Sequence, residues 1–287
     1  MLNLMYITND PAVARIAETY GVDRIWVDME FIGKSDRQGG MDTVQLHHTI
    51  EDIRAIRAAV TKAEVIVRVN PIHEATPDYG NSAWEIPAAV DAGADVVMLP
   101  FFKTVKEVKT FIDLVDGKAK TMLLVETPEA VDIIDDILAL DGIDEIHIGL
   151  NDLSLGYGMK FMFELLADGT VERLCRKFRE KGIPYGFGGI ASLGKGLLPA
   201  ECVIREHYRL GSTRAILSRS FCNVNKITDI NEVEAVFRSG MADIRALEAE
   251  CAAHEPEDEY FTDNQRQVAL AVQVIRASIL EQENYST

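Results

Sequence analysis

Basic residues are scarce in this sequence: 29 Lys+Arg stand against 46 Asp+Glu, a formal charge of −17 over 287 residues. A surface of that sign repels phosphate backbones and anionic lipid headgroups, so neither nucleic acid nor a membrane surface is an expected partner. Long apolar runs are missing too, and none approaches the roughly 20 residues a transmembrane helix needs. The opening Met1-Leu2-Asn3-Leu4 has neither the basic stretch nor the apolar core of a secretory signal, so a cytoplasmic location is expected. Cysteine is sparse. Cys175, Cys202, Cys222 and Cys251 show no Cys-x-x-Cys spacing and read as reduced thiols, not as a disulfide framework or a zinc knot. What the chain does have is 47% hydrophobic residues, enough to build a full core.

Short apolar, β-branched runs recur with helix-like segments between them. The pattern predicts strands near 2–8, 24–30, 64–70, 95–101, 121–127, 145–151, 184–191 and 214–221. Several are apolar throughout, as in Val96-Val97-Met98-Leu99, which is how strands covered on both faces of a parallel sheet appear. Between them, Ile50, Ile53, Ile56 and Val60 share one helical face behind Thr49 and Asp52, a capping-box start. Pro11 and Pro128 suit first helical turns. Eight strands alternating with helices predict an α/β fold, a (β/α)8 TIM barrel over 1–223, with a doubly wound open sheet as the structural rival. Residues 224–287 form a C-terminal helical extension with two apolar stripes, Val233/Val236/Phe237/Met241/Ile244 and Val268/Val272/Ile275/Ile279. It holds 13 Asp+Glu against 5 Lys+Arg. Its stripes are expected to bury on the barrel or on a neighbouring subunit, with the subunit favoured, so a homo-oligomer is expected.

In such a barrel the chemistry sits at the C-terminal ends of the strands. The polar residues there are Asp28 and Glu30, Arg68 and Asn70, Glu126, then Asn151 and Asp152. Glu126 and Asp152 end adjacent predicted strands. Two hard oxygen ligands with room for water and substrate suit Mg²⁺ or Mn²⁺, with Co²⁺ also compatible. The competing reading is that each caps the helix that follows. Arg68 closes an apolar strand, where a guanidinium binds an anionic substrate and stabilises an enolate oxygen, or else pairs structurally with Glu30. Gly189 to Gly196 almost forms a P-loop, but Gly196 stands where Ser or Thr should bind Mg²⁺, so nucleotide hydrolysis is rejected. Amides at Gly188 and Gly189, near Lys195 and Arg219, are placed to hold a phosphorylated or otherwise anionic group, unless the glycines only permit a tight turn. Met159, Phe161, Met162 and Phe163 have helical spacing and read as packing.

Taken together, several stretches resemble the HpcH/HpaI aldolase and citrate lyase β-subunit family. They are Met5 to Ala14, Trp26-Val27-Asp28-Met29-Glu30, Val67-Arg68-Val69-Asn70-Pro71, Asp91-Ala92-Gly93-Ala94-Asp95 with Met98-Leu99-Pro100, Leu124-Val125-Glu126-Thr127 and Ile148 to Ser154. The resemblance implies a phosphoenolpyruvate/pyruvate-type barrel whose aldolases make and break carbon–carbon bonds through a metal-bound pyruvate enolate. On that basis Glu126 and Asp152 match the metal ligands and Arg68 faces the keto oxygen. The amides near Asn151 and Asp152 match those that hold the pyruvate carboxylate. The substrate is expected to be a small 2-oxo acid, phosphorylated, CoA-linked or neither, with Glu30 and Arg37 as further contacts. No lysine ends a strand at this site, against a Schiff-base mechanism. One departure stands out: the aldolases carry Asp-x-Glu-His, with the histidine paired to an aspartate matching Asp91, whereas here the motif reads Asp28-Met29-Glu30-Phe31. His48, or less favourably His47, is the candidate replacement for the lost base, against the plain alternative of a capping residue before a helix. The citrate lyase branch also lacks that histidine, which keeps a CoA-thioester substrate open, and its loss at Phe31 keeps open a catalytically silent metabolite-binding barrel.

Overall fold

The computed structural model describes residues 1–34 and 48–286. Eight parallel strands follow the predicted positions: β1 (Asn3–Ile7), β2 (Arg24–Asp28), β3 (Glu64–Arg68), β4 (Val96–Leu99), β5 (Lys120–Val125), β6 (Glu145–Ile148), β7 (Tyr185–Ile190) and β8 (Arg214–Leu217). They close in chain order into one barrel, β1 through β8, which excludes the open-sheet rival. Each is shorter than its predicted range, and the polar ends of β2 and β3, Asp28 and Arg68, stay paired in the ladder. By packing, the chain divides into two compact units, Leu4–His147 and Met1–Asn3 with Ile148–Thr287.

In the first unit α1 (Pro11–Thr19), α2 (Ile50–Ala59), α3 (Ser82–Asp91), α4 (Val105–Val115), α5 (Pro128–Asp132) and α6 (Ile134–Ile137) follow the strands. Their starts are written locally. Asp10 caps α1, with Pro11 in the first turn, and Thr49 forms the capping box with Asp52 on α2. Thr104 and Glu107 do the same for α4, and Thr127 caps α5 ahead of Pro128. Each such cap contributes about 1 kcal/mol by satisfying amides that the helix itself leaves without partners. Val65, Ile66 and Val67 are all buried in succession, as are Val96 to Leu99.

The second unit carries α7 (Leu150–Gly156), α8 (Glu164–Ala167), α9 (Thr170–Glu180), α10 (Ala200–Arg209), α11 (Ile230–Cys251) and α12 (Glu259–Ser286). Residues 158–163 do not continue a helix as their spacing predicts. Gly158 takes φ +69°, and the amides of Lys160 and Phe161 are held by the Glu164 carboxylate ahead of α8. Phe161 and Phe163 are nonetheless buried packing residues.

The C-terminal helices pack on other helices of their own unit, while Leu270 and Val274 of the last helix remain exposed. Asn264 donates to Cys202 O and to the Glu206 carboxylate of α10, and Arg276 pairs with Glu164. Val233, Phe237, Met241, Ile244, Val268 and Val272 are buried there, while Ile275 and Ile279 are half-buried. The physical reason is that α8 and α10 present surface that these stripes cover within one chain. Among the described residues no helix is long and apolar enough to cross a membrane.

Candidate active site

Which side chains point into the barrel follows from one ion pair. Arg24 on β2 forms a bidentate pair with Glu145 on β6, four strands round the ring, a bond that only the barrel interior allows. Side chains alternate along a strand, so Trp26 and Asp28 share that inward face with Arg24. The register pairs Arg24 with Glu64 and Asp28 with Arg68, so Arg68 points inward as well.

At the C-terminal ends of β2 and β3 these residues build a charged cluster. Arg68 donates Nε to Asp28 Oδ1 at 2.8 Å and Nη2 to Oδ2 at 2.7 Å, while Nη1 lies 3.3 Å from Glu30 Oε2. Its guanidinium also stands over the Trp26 ring, 5.1 Å from the centroid. Lys34 Nζ approaches the same Asp28 Oδ2 at 3.0 Å and Glu30 Oε2 at 3.6 Å. Burial by itself would raise the Asp28 pKa, but the Arg68 and Lys34 cations overturn that and hold the carboxyl well below the usual carboxylate range. For Arg68, burial opposes the charge, and Asp28 and Glu30 more than restore it. The structural pairing with Glu30 is therefore present, and three of the five guanidinium N–H groups are committed to it and to Asp28.

His48 is brought to this cluster, but not as a base. Its Nδ1 accepts the backbone N–H of Asp28 at 2.9 Å, so that lone pair is spent and a neutral ring carries its proton on Nε2. Burial pushes its pKa down, against the pull of Asp28 and Asp52. Phe31 packs edge-on against Tyr79 at 4.9 Å and offers no proton. Asn70 ties the two strand ends together. Its Oδ1 accepts the amides of Phe31 and Ile32, and its Nδ2 donates to Met29 O and to the fully buried Glu85. Burial pushes the Glu85 carboxyl up, although the Asn70 donors pull the other way.

Glu126, just past β5, is buried in the same unit and does not cap the helix after it; Thr127 does. Its Oε1 accepts the N–H of Phe101 at 3.0 Å. Phe101 holds a left-handed backbone, φ +48°, at a cost of about 1–3 kcal/mol for a residue with a side chain. The turn is braced from the start of α5, where Thr127 donates its hydroxyl to Phe102 O at 2.8 Å.

Asp91 is not at this mouth. It ends α3, its charge acts on Lys118 just before β5, and it therefore belongs at the opposite end of the strands. A helix returning between parallel strands ends where the next strand begins, which moves a helix-end residue away from the catalytic face.

In the second unit Asp152 is buried in the first turn of α7 and receives the Asn151 side-chain amide at 3.1 Å. Gly188 and Gly189 lie within β7, where the chains approach closely: a Cβ on Gly186 would fall 2.3 Å from Arg214 O, and Gly188 takes φ +53° against Leu150. Packing alone accounts for the glycines at 186 and 188. Arg37 and His47 lie outside the described residues.

Among the described residues no group of three or more His, Cys, Asp and Glu side chains is gathered as a metal site. Glu126 suits a hard divalent ion as a donor, being a buried carboxylate oriented by an amide on one oxygen. Sequence reasoning reached Lys34 only as part of a basic, glycine-rich loop over the mouth, residues 33–40, and missed Glu85 as a site residue. Glu85 had a readable signal, a carboxylate inside the apolar run Trp84-Glu85-Ile86; for Lys34 the basic loop was readable, but its pairing with Asp28 was not.

The chain is a closed parallel barrel with an oriented arginine and buried carboxylates at its strand ends. The HpcH/HpaI aldolase/citrate lyase family model matches residues 3–164, and the chain belongs to that family. The hydroxypyruvate/pyruvate aldolase of Roseovarius nubinhibens is 24% identical over 179 residues, which cover 52% of this chain and 62% of that relative. An HpcH/HpaI aldolase from Desulfitobacterium hafniense shares the fold with a TM-score of 0.54 at 17% identity, over 76% of this chain and 86% of that one. A family protein from Burkholderia cenocepacia reaches 0.59 at 17%, over 81% and 94%.

Proposed function

We propose that the protein is a divalent-metal-dependent carbon–carbon lyase that acts on a 2-oxo acid through a pyruvate-like enolate. The observation that carries this reading is Arg68, half-buried at a strand end and locked by Asp28 and Glu30 in a family whose curated relative is named as an aldolase. A fixed guanidinium loses little freedom when an oxyanion forms beside it, so its attraction counts towards the transition state. Glu126 is the metal ligand supported by local geometry; Asp152 carries the same role from the family resemblance alone. A bound Mg²⁺ or Mn²⁺ would supply Lewis acidity towards the 2-oxo acid. The protein's own contribution is to hold Arg68 in one orientation, keep Asp28 ionised and exclude water from the pair.

The reading is tested by deuterium exchange at C3 of pyruvate in D₂O with Mg²⁺. Wild-type protein should exchange and Glu126→Gln should not; a wild type silent with every divalent ion tried rejects the lyase. Phe31, which offers no proton, favours a second reading within the same chemistry, in which the enolate is passed to a phosphorylated or CoA-linked partner. Turnover of pyruvate precursors without any such partner would reject that alternative.

A further inference from the structure

Cleavage of a carbon–carbon bond beside a 2-oxo group needs two proton events. One group takes the proton of the hydroxyl on the leaving half, and another delivers a proton to the enolate carbon. The titratable groups that touch Asp28 or Arg68 directly are Glu30, Lys34 and His48; Glu126, whose charge also reaches Arg68, is kept for the metal, and Glu85 with Tyr79 is turned to Asn70. Asp28 is held ionised by two cations and accepts three side-chain N–H bonds, so it carries no proton. His48 has spent its Nδ1 lone pair on the Asp28 amide and presents only an N–H. Arg68 does not deprotonate in proteins. Elimination leaves Glu30 and Lys34.

Position points the same way. Lys34 Nζ and Arg68 Nη2 both bind Asp28 Oδ2, at 3.0 and 2.7 Å, so the ammonium stands beside the guanidinium that faces the developing oxyanion. Its second partner, Glu30, is 3.6 Å away and buried. Lys34 itself is 6% exposed. Burying an ammonium is costly unless it is paired. A lysine drawn in between two carboxylates with an arginine already present adds a transferable proton that the arginine cannot provide.

We propose that Lys34 is the proton carrier of this site, with Glu30 as its exchange partner. The inference rests on the lyase reading above. In the cleavage direction Glu30 takes the hydroxyl proton. The carbon–carbon bond breaks, its electron pair passing to the 2-oxo oxygen as an enolate while a carbonyl forms on the leaving half. Lys34 then protonates the enolate carbon, the electrons return from oxygen to carbon, and the proton on Glu30 passes to Nζ. No proton or electron is left over.

The test is the same exchange of pyruvate C3 protons with Mg²⁺ in D₂O, read by proton NMR, on Lys34→Met, Lys34→Arg and Lys34→Ala, with pyruvate affinity measured by calorimetry. Lys34→Met should slow exchange about 100-fold or more, the usual weight of a proton carrier. Lys34→Arg keeps the charge and so guards against simple unfolding of the cluster. It should bind pyruvate within about threefold of wild type yet exchange as slowly as the methionine variant. Small primary amines should partly restore exchange to Lys34→Ala. Wild-type exchange rates in Lys34→Arg or Lys34→Met overturn the assignment, as does an alanine variant that no amine rescues. A wild type that never exchanges rejects the lyase itself, an outcome visible before any Lys34 variant is made.

Discussion

The same two strands carry a charged cluster at each end, and the clusters are built to opposite purposes. At the N-terminal end β2 supplies the cation, Arg24, and β3 the carboxylate, Glu64. Arg24 bonds Glu64 at 2.7 Å and Glu145 through both terminal nitrogens, while Lys120 closes the far side of Glu64 at 2.6 Å. At the C-terminal end the signs swap: β2 supplies Asp28 and β3 supplies Arg68, again in register. The lower cluster is centred on an arginine with carboxylates around it. The upper one is centred on a carboxylate with an arginine and a lysine around it, and adds a histidine and Glu30. A cluster organised around a permanently charged guanidinium holds strands together. One organised around a pinned carboxylate fits the proposed role, in which its cations and a second carboxylate face the substrate.

That contrast can be broken at each end, beginning with the largest effect. Arg24→Met removes the bidentate guanidinium from the buried Glu145 and should cost about 3–5 kcal/mol in urea unfolding. A loss below about 1 kcal/mol would show that the lower cluster is not structural. Asp28→Asn attacks the upper end. The folded-state pKa of Asp28 lies below its ordinary 3.8, so its stabilisation is present above that value and is lost as pH falls towards the depressed one. Thermal melts of wild type and Asp28→Asn should differ at neutral pH and converge under acid; parallel curves down to pH 2 count against the pinned carboxylate. Thr49→Ala removes the capping box beside His48 and should cost about 1 kcal/mol. If it also changes the imidazole NMR signal of His48, the helix start is what holds the ring against Asp28; an unmoved signal assigns that task to the Asp28 amide alone.

Much of this architecture is legible in the amino-acid sequence. The strands announce themselves as apolar runs because both of their faces are covered, and the caps at Asp10, Thr49 and Thr127 lie where short-range chemistry puts them. Arg68 and Glu126 stand out because a polar residue ending an apolar strand has few other reasons to be there. Asp91 misleads: its family motif suggests catalysis, although its place at the end of α3 already implies the far side of the barrel. His48 stands out by position, but its role turns on which ring nitrogen meets a backbone amide 20 residues away. The C-terminal stripes are plainly apolar, but a stripe does not say what covers it.

The acidic composition, the β/α alternation, the helix starts and the Arg68 strand end are set by the amino-acid sequence alone, because periodicity, capping and burial preference act over a few residues. Tertiary structure alone decides that Asp28 gathers Arg68 and Lys34 on one oxygen. It also decides that Phe101 bends to meet Glu126 and that α11 and α12 close on their own chain. Those outcomes depend on distances between groups 6 to 58 residues apart, which side-chain geometry fixes only once the barrel has closed.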